Sequence, residues 1–150
     1  MSLQSDLMQK LKEAMKAKDT VALASLRAIK SAILLAQTDK GAKTELSTAD
    51  ELKLLQRLVK QRKDSAVIYT EQGREDLATP ELEQVAVIEQ FLPEQMDSGE
   101  LRDVISAIIS QTGATSMKDM GKVMGITSKQ LAGKADGKAI STIVKELLSS

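Results

Sequence analysis

The stretch from Thr48 to Pro93, TADELKLLQRLVKQRKDSAVIYTEQGREDLATPELEQVAVIEQFLP, decides how this chain folds. Leu52, Leu55, Val59, Arg62, Ala66 and Tyr69 recur at alternating spacings of three and four, which places them on one face of a long helix. All but Arg62 suit a core. A guanidinium in that seam must find carboxylate or carbonyl acceptors, because a charge removed from water without partners is costly. Glu81 and Glu83, at the start of the next helix, are the expected partners. Arg62 is then either a site for an anion or half of an internal ion pair that fixes how two helices dock; the second is the better-attested use of a charge in a seam. On the opposite side Lys53, Arg57 and Lys60 repeat at four and three with Lys63 beside them, a cationic stripe of the kind that is ordinarily a solvated face.

The same stretch carries its own punctuation. Thr48 with Glu51 has capping-box spacing, and Gly73 suits the C-terminal cap. Thr79 followed by Pro80 reads as the N-cap and first-turn proline of a further helix, with Leu82, Val85, Ile88, Phe91 and Leu92 on its core side and Pro93 as its stop.

Upstream, Leu3, Leu7, Leu11 and Met15 repeat every four residues with Ala14 alongside, which predicts an amphipathic helix over 2–18. Asp19 suits the N-cap of a second helix carrying Val21, Leu23, Leu26, Ile29, Ile33 and Ala36, with Arg27 and Lys30 as surface charges, internal pairs or ligand contacts. From Gln37 to Ser47, with Gly41 in the middle, the chain reads as a mobile loop. Downstream, Asp97 with Glu100 caps a helix bearing Leu101, Val104, Ile105, Ile108 and Ile109, up to Gly113. Ser116 with Asp119 repeats that spacing before a short helix closed by Gly125, and Asp136 caps a last helix with Ile140, Ile143, Val144, Leu147 and Leu148. No segment has the period-2 pattern of a strand. The fold class is all-α: an N-terminal four-helix domain over 1–95 and a small C-terminal three-helix bundle over 96–150, near the lower size at which a core folds unaided.

Composition narrows the chemistry. Lys plus Arg and Asp plus Glu are 21 each, so the chain lacks the global cationic field of a self-sufficient nucleic-acid binder and any such binding must be local. With no Cys there is neither a disulfide framework nor thiol chemistry, which suggests a cytoplasmic home. With no His either, the usual proton shuttle and nearly all zinc designs are missing; we expect no catalytic residue, no metal and no cofactor. Tyr69 and Phe91 are the only aromatics, too few for a base-stacking platform. We read no apolar run of membrane-spanning length and no signal-peptide core, and so expect no membrane partner.

In the C-terminal part, Gly133-Lys134-Ala135-Asp136-Gly137-Lys138 superficially resembles a P-loop, but it has three residues between the glycines where the motif needs four, no hydroxyl after Lys138 and no preceding strand. It does place a flexible backbone and lysines ahead of a helix N-terminus, where phosphate binds well. From Ala114 to Lys138, Lys118, Lys122, Lys129, Lys134 and Lys138 face only Asp119 and Asp136. That local excess is either a modest RNA-backbone footprint or an ordinary solvated loop. Met117, Met120 and Met124 share a helix face, as core filler or as an adaptable groove for a partner helix.

Gln61-Arg62-Lys63-Asp64-Ser65, Gly73-Arg74-Glu75-Asp76-Leu77, Phe91-Leu92-Pro93, Met120-Gly121-Lys122-Val123-Met124 and Gly133-Lys134-Ala135-Asp136-Gly137 together resemble, in order and spacing, the signature blocks of the YqeY-like family. That family shares its fold with the helical tail of the B subunit of the tRNA-dependent amidotransferase, so the resemblance implies tRNA-related binding. It also carries the label of a carbon–nitrogen ligase with glutamine as amido donor, but the B subunit's catalytic cradle, its metal-binding residues and the glutaminase partner have no counterpart here. Carried over by residue, the implied RNA-facing part is the helix from Met120 to Met124 with the loop from Lys129 to Lys138. Arg62, Arg74, Gly121, Met124, Gly133 and Asp136 are family-motif positions with a structural or ligand role. Gly137 stands where amidotransferase tails generally have proline, as in stand-alone proteins of the family. Two functions follow as expectations: a tRNA-binding module reading shape and phosphates, or a protein-interaction adaptor whose Met face and Met124-Gly125-Ile126 segment grip an aminoacyl-tRNA synthetase or an amidotransferase subunit. A free-standing amidotransferase lacks residues to activate a carboxyl and supply ammonia.

Overall fold

The computed structural model describes residues 2–39 and 45–149, so the central part of the expected loop, with Gly41, lies outside the described residues. The described residues are all helical or connecting, with no strand. Among the described residues seven α-helices follow one another: α1 (Leu3–Ala17), α2 (Thr20–Asp39), α3 (Thr48–Glu71), α4 (Glu75–Glu89), α5 (Ser98–Thr112), α6 (Met120–Gln130) and α7 (Gly137–Ser149), with a 3-10 turn at Met117–Asp119 before α6. The chain divides into two compact units, Met1–Leu92 and Pro93–Ser150.

In the first unit α3 and α4 form a hairpin, and α2 packs on α4 and α1. Leu7, Leu26, Ile29, Leu55, Val59, Val85 and Ile88 make its core. Asp19 caps α2 as the sequence suggests, its Oδ1 accepting from the Ala22 N–H at 3.0 Å. Three expectations about local boundaries are corrected. The cap of α3 is Ser47, whose Oγ accepts from the Asp50 N–H at 3.1 Å, one residue before the expected Thr48. Helix α2 continues through Gln37 and Thr38 to Asp39, inside the expected loop. Helix α4 begins at Glu75, so Thr79 caps nothing and Pro80 sits inside the helix. The chain can re-enter a helix that early because Gly73 adopts φ 72° and the Arg74 N–H reaches back to the Tyr69 carbonyl at 2.7 Å, turning the backbone within three residues. Pro80 then lacks the N–H that would have met the Asp76 carbonyl, and its ring crowds that carbonyl near the start of the helix.

The expected apolar faces also shift in places. Met15 is 53% exposed and Leu82 51% exposed, while Ala14 and Ala78 are buried in the corresponding turns. Two helices converging closely take the small side chain inward and leave the long neighbour at the rim. Helix α2, at 20 residues, meets the length and apolar composition of a membrane span, contrary to the sequence reading. Arg27 and Lys30 interrupt its apolar run, and both are exposed, while Leu26, Ile29 and Ile33 are buried in the unit's core.

In the second unit α5, α6 and α7 pack on one another around Leu101, Ile105, Ile108, Val123, Leu131, Ile140 and Val144. Asp97 caps α5 by accepting from the Glu100 N–H at 2.8 Å, and Gly113 ends it with φ 71°. Gly125 does not close α6, which runs on to Gln130. Val123 and Thr127 are buried on either side of it, so burial of that face outweighs the glycine's helix penalty of about 1 kcal/mol.

Candidate nucleic-acid interface

The C-terminal lysines are the sequence's main site candidates, and what sets them apart is their grouping in one stretch of the second unit, since exposed cations such as Lys12, Lys30, Lys53, Arg57 and Lys145 also lack an ion pair among the described residues. Lys118 lies in the 3-10 turn, Lys122 and Lys129 on α6, Lys134 in the turn after it and Lys138 in the first turn of α7; all five side chains are exposed. None of the five makes an ion pair among the described residues. Elsewhere Lys10 pairs with Glu13, Lys60 with Asp64, Lys63 with Glu89 and Arg102 with Glu146, at 2.8–3.6 Å. The acids near the C-terminal lysines face the backbone instead. Asp119 Oδ2 accepts from the Thr115 N–H at 3.0 Å, and Asp136 Oδ1 from the Ala139 N–H at 2.6 Å, making Asp136 the cap of α7. Ser116 makes no side-chain cap bond, and Asp119, at the N-cap position of α6, makes none into that helix either, so the expected capping box before α6 does not form.

Lys122 and Lys129 are seven residues apart on α6, two turns, so their ammonium groups emerge on the same side about 10 Å apart along the axis. Gly121 and Gly125 are exposed on that helix, and a Cβ at either would meet nothing within 4 Å. Their presence is therefore not demanded by packing inside the unit. Gly133, by contrast, has a structural reason: it is buried at φ 78°. The turn around it is held by Gln95, whose Nε2 donates to the Gly133 carbonyl at 2.7 Å and to the Pro93 carbonyl at 2.8 Å. The Met96 N–H donates to the Lys134 carbonyl at 3.0 Å. Gln95 was missed by sequence reasoning, and no local pattern could have found it, since its partner is 38 residues away.

Met120 and Met124 pack against the core of the unit and only Met117 is well exposed, at 44%. The methionine face is therefore largely core filler, which removes most of the surface on which an adaptor groove was expected.

In the first unit Arg62 is half-buried and satisfied by neutral acceptors. Its Nε donates to Gln84 Oε1 at 2.8 Å and its Nη1 to the Leu58 carbonyl at 3.1 Å. The expected partners Glu81 and Glu83 are not used: Gln84, one turn beyond Glu81 on α4, is the residue whose side chain reaches the seam. Arg74 is exposed and forms a two-point pair with Asp76, Nε to Oδ1 at 3.0 Å and Nη2 to Oδ2 at 2.9 Å. The guanidinium holds the Asp76 carboxyl below the ordinary carboxylate range, and the carboxylate raises Arg74 in turn. The structure thus brings the C-terminal lysines into one unit and leaves both arginines in the other, each with an internal partner.

Two similar proteins carry the name "Altered inheritance of mitochondria protein 41, mitochondrial". That of Clavispora lusitaniae is 32% identical over 133 residues, covering 87% of this chain and 74% of the relative. That of Meyerozyma guilliermondii is 32% identical over 128 residues, covering 79% of this chain and 65% of the relative. These names correct the expectation of a cytoplasmic protein. Absence of cysteine excludes a disulfide framework but does not separate one reducing compartment from another, so composition could not carry that assignment. The family model described as "Yqey-like protein" matches residues 4–148, and the chain belongs to the YqeY-like family.

Proposed function

We propose that this protein is a non-catalytic RNA-binding module whose second unit, as an autonomous domain, contacts folded tRNA through its shape and phosphates. The observation that carries the reading is the set of five exposed lysines, Lys118 to Lys138, with no acidic partner among the described residues. Unpaired ammonium groups near a helix start and a turn suit a phosphate backbone. The exposed glycines of α6 support it: Gly125, inside the 11-residue helix, costs about 1 kcal/mol against alanine and Gly121, in the first turn, costs less, and both keep that surface clear for a close backbone approach. Only two aromatic residues occur in the chain, so recognition runs through shape and charge, with no stacking platform.

A titration against total tRNA at low and at physiological salt tests this, with a variant changing Lys129, Lys134 and Lys138 to Glu alongside. The expected result is a linear fall of log affinity with log salt and loss of binding in the variant. Absence of binding at low salt, or equal binding by the variant, overturns it.

A further inference from the structure

The cationic stripe of α3 is divided by the fold. Lys60 and Lys63 are engaged by Asp64 and Glu89, both at 3.2 Å, whereas Lys53 and Arg57 have no ion pair or hydrogen bond among the described residues. Both of the latter stand on the edge of a cavity of about 380 Å³ between α2 and α3. Its floor is apolar: Ala32 and Ala36 from α2 oppose Leu54 and Leu58 from α3, each pair one helical turn apart, and all four are half-buried. Leu35, also on the lining, is 65% exposed, a large apolar side chain left to water at the mouth of a concave apolar surface. The α3 wall runs from Asp50 to Gln61, about 16 Å or three turns of helix.

We propose that this groove receives an amphipathic helix of a partner protein, one that carries two acidic residues a turn apart along the edge of its apolar stripe. The shape is that of helix-in-groove recognition, in which apolar residues at spacings of three, four and seven enter a hydrophobic trough. Small residues on the α2 wall let the incoming backbone approach, and the leucines of the α3 wall supply apolar contact. The charge pattern selects the class of partner. Lys53 and Arg57 are spaced four apart, so their heads match carboxylates at the same spacing on a helix lying alongside. An RNA is disfavoured because the floor offers nothing to phosphate or sugar; Asp39 at the end of α2 and Asp50 in the first turn of α3 also line the site and repel anions there, so the partner's acidic pair is confined to the stretch of edge beside Lys53 and Arg57.

The test uses two synthetic 16-residue helical peptides with leucines at i, i+3 and i+7, one flanked by glutamates at i,i+4 spacing and the other by lysines. Binding to the full chain is followed by fluorescence anisotropy and by amide NMR shifts. The glutamate peptide is expected to bind at least tenfold more tightly than the lysine peptide and to perturb Ala32, Leu35, Ala36, Leu54 and Leu58. Leu35→Glu, at an exposed position, should abolish binding, and the double variant Lys53→Glu/Arg57→Glu should reverse the preference. No binding by either peptide, equal binding of both, or shifts confined to another surface would each overturn the proposal. So would a protein dimer or adsorption to phosphatidylglycerol vesicles that Leu35→Glu abolishes, since the groove would then belong to a second copy or to lipid. Variants with unchanged circular dichroism exclude misfolding as the cause of lost binding.

Discussion

Arg62 of α3 and Gln84 of α4 meet at 2.8 Å inside the first unit, a charged donor bonded to an uncharged acceptor where an ion pair was expected. A neutral amide accepts a hydrogen bond from the guanidinium without placing a second charge in the seam, so only one ion has to be desolvated. With the Leu58 carbonyl as second acceptor, the head group is held against its own helix and against the next one. A hydrogen bond to a charged group contributes about 1.5–3 kcal/mol, toward the lower end here because Arg62 is only half-buried. Urea unfolding of Arg62→Ala, Gln84→Ala and the double variant should give a coupling of about 1.5 kcal/mol. Full additivity of the two single substitutions would mean that the pair does not hold the hairpin together.

Gly73 sits at φ 72° with nothing within 4 Å of where a Cβ would stand. The cost of a side chain there is conformational alone, about 1–2 kcal/mol for a left-handed L-residue. Gly73→Ala should lower stability by that amount, and Gly73→Asn by less, because asparagine tolerates the left-handed region. Thermal melts compare the two; equal melting temperatures for wild type and Gly73→Ala would contradict the assigned turn.

The Arg74–Asp76 pair gives a pH dependence of defined sign. Because the folded carboxyl titrates below its unfolded value, its contribution is present above the unfolded carboxylate pKa of about 3.9 and is lost as pH falls through the lower folded value. Glu51 acts in the opposite sense. Burial raises its pKa, so the penalty for ionising it grows as pH rises from the unfolded value through the folded one. Carboxyl NMR titration should place Asp76 below and Glu51 above the ordinary range, and Arg74→Gln should return Asp76 to it. An unchanged Asp76 midpoint in Arg74→Gln would assign its depression to the backbone instead.

Features that depend on a few neighbouring residues were legible in the sequence. Asp19, Asp97 and Asp136 cap helices as expected because a short carboxylate finds a backbone N–H three residues ahead whatever the tertiary structure does. Gly73 and Gly113 take left-handed positions for the same local reason. The misread features are those decided by packing. Thr79-Pro80 has the signature of a helix start, yet the turn at Gly73 launched α4 earlier; Gly125 has the signature of a stop, yet buried Val123 and Thr127 carried α6 through it. The C-terminal lysine cluster was legible as charge and Asp136 as a backbone cap, but not that Asp119 would turn back to the Thr115 N–H, and Gln95 clamping Gly133 could be seen only in three dimensions.

Thr127 combines complete burial with an Oγ1 that has no hydrogen-bond partner among the described residues. A buried hydroxyl without a partner costs about 1–3 kcal/mol, whereas replacing it by a methyl group of nearly the same shape removes that penalty. A threonine-to-valine exchange is ordinarily unfavourable in a core because it breaks the hydroxyl's bond; here no bond is broken. Both residues are β-branched, so the helical cost of the substitution is small. Thr127→Val should therefore raise stability by about 1 kcal/mol, read as a higher urea midpoint with an unchanged slope. Thr127→Ser, which keeps the hydroxyl and deletes the methyl, should instead destabilise through the small cavity it leaves. A loss of stability in Thr127→Val would show that the hydroxyl is satisfied in solution, and would require an acceptor or a water within the core of the second unit.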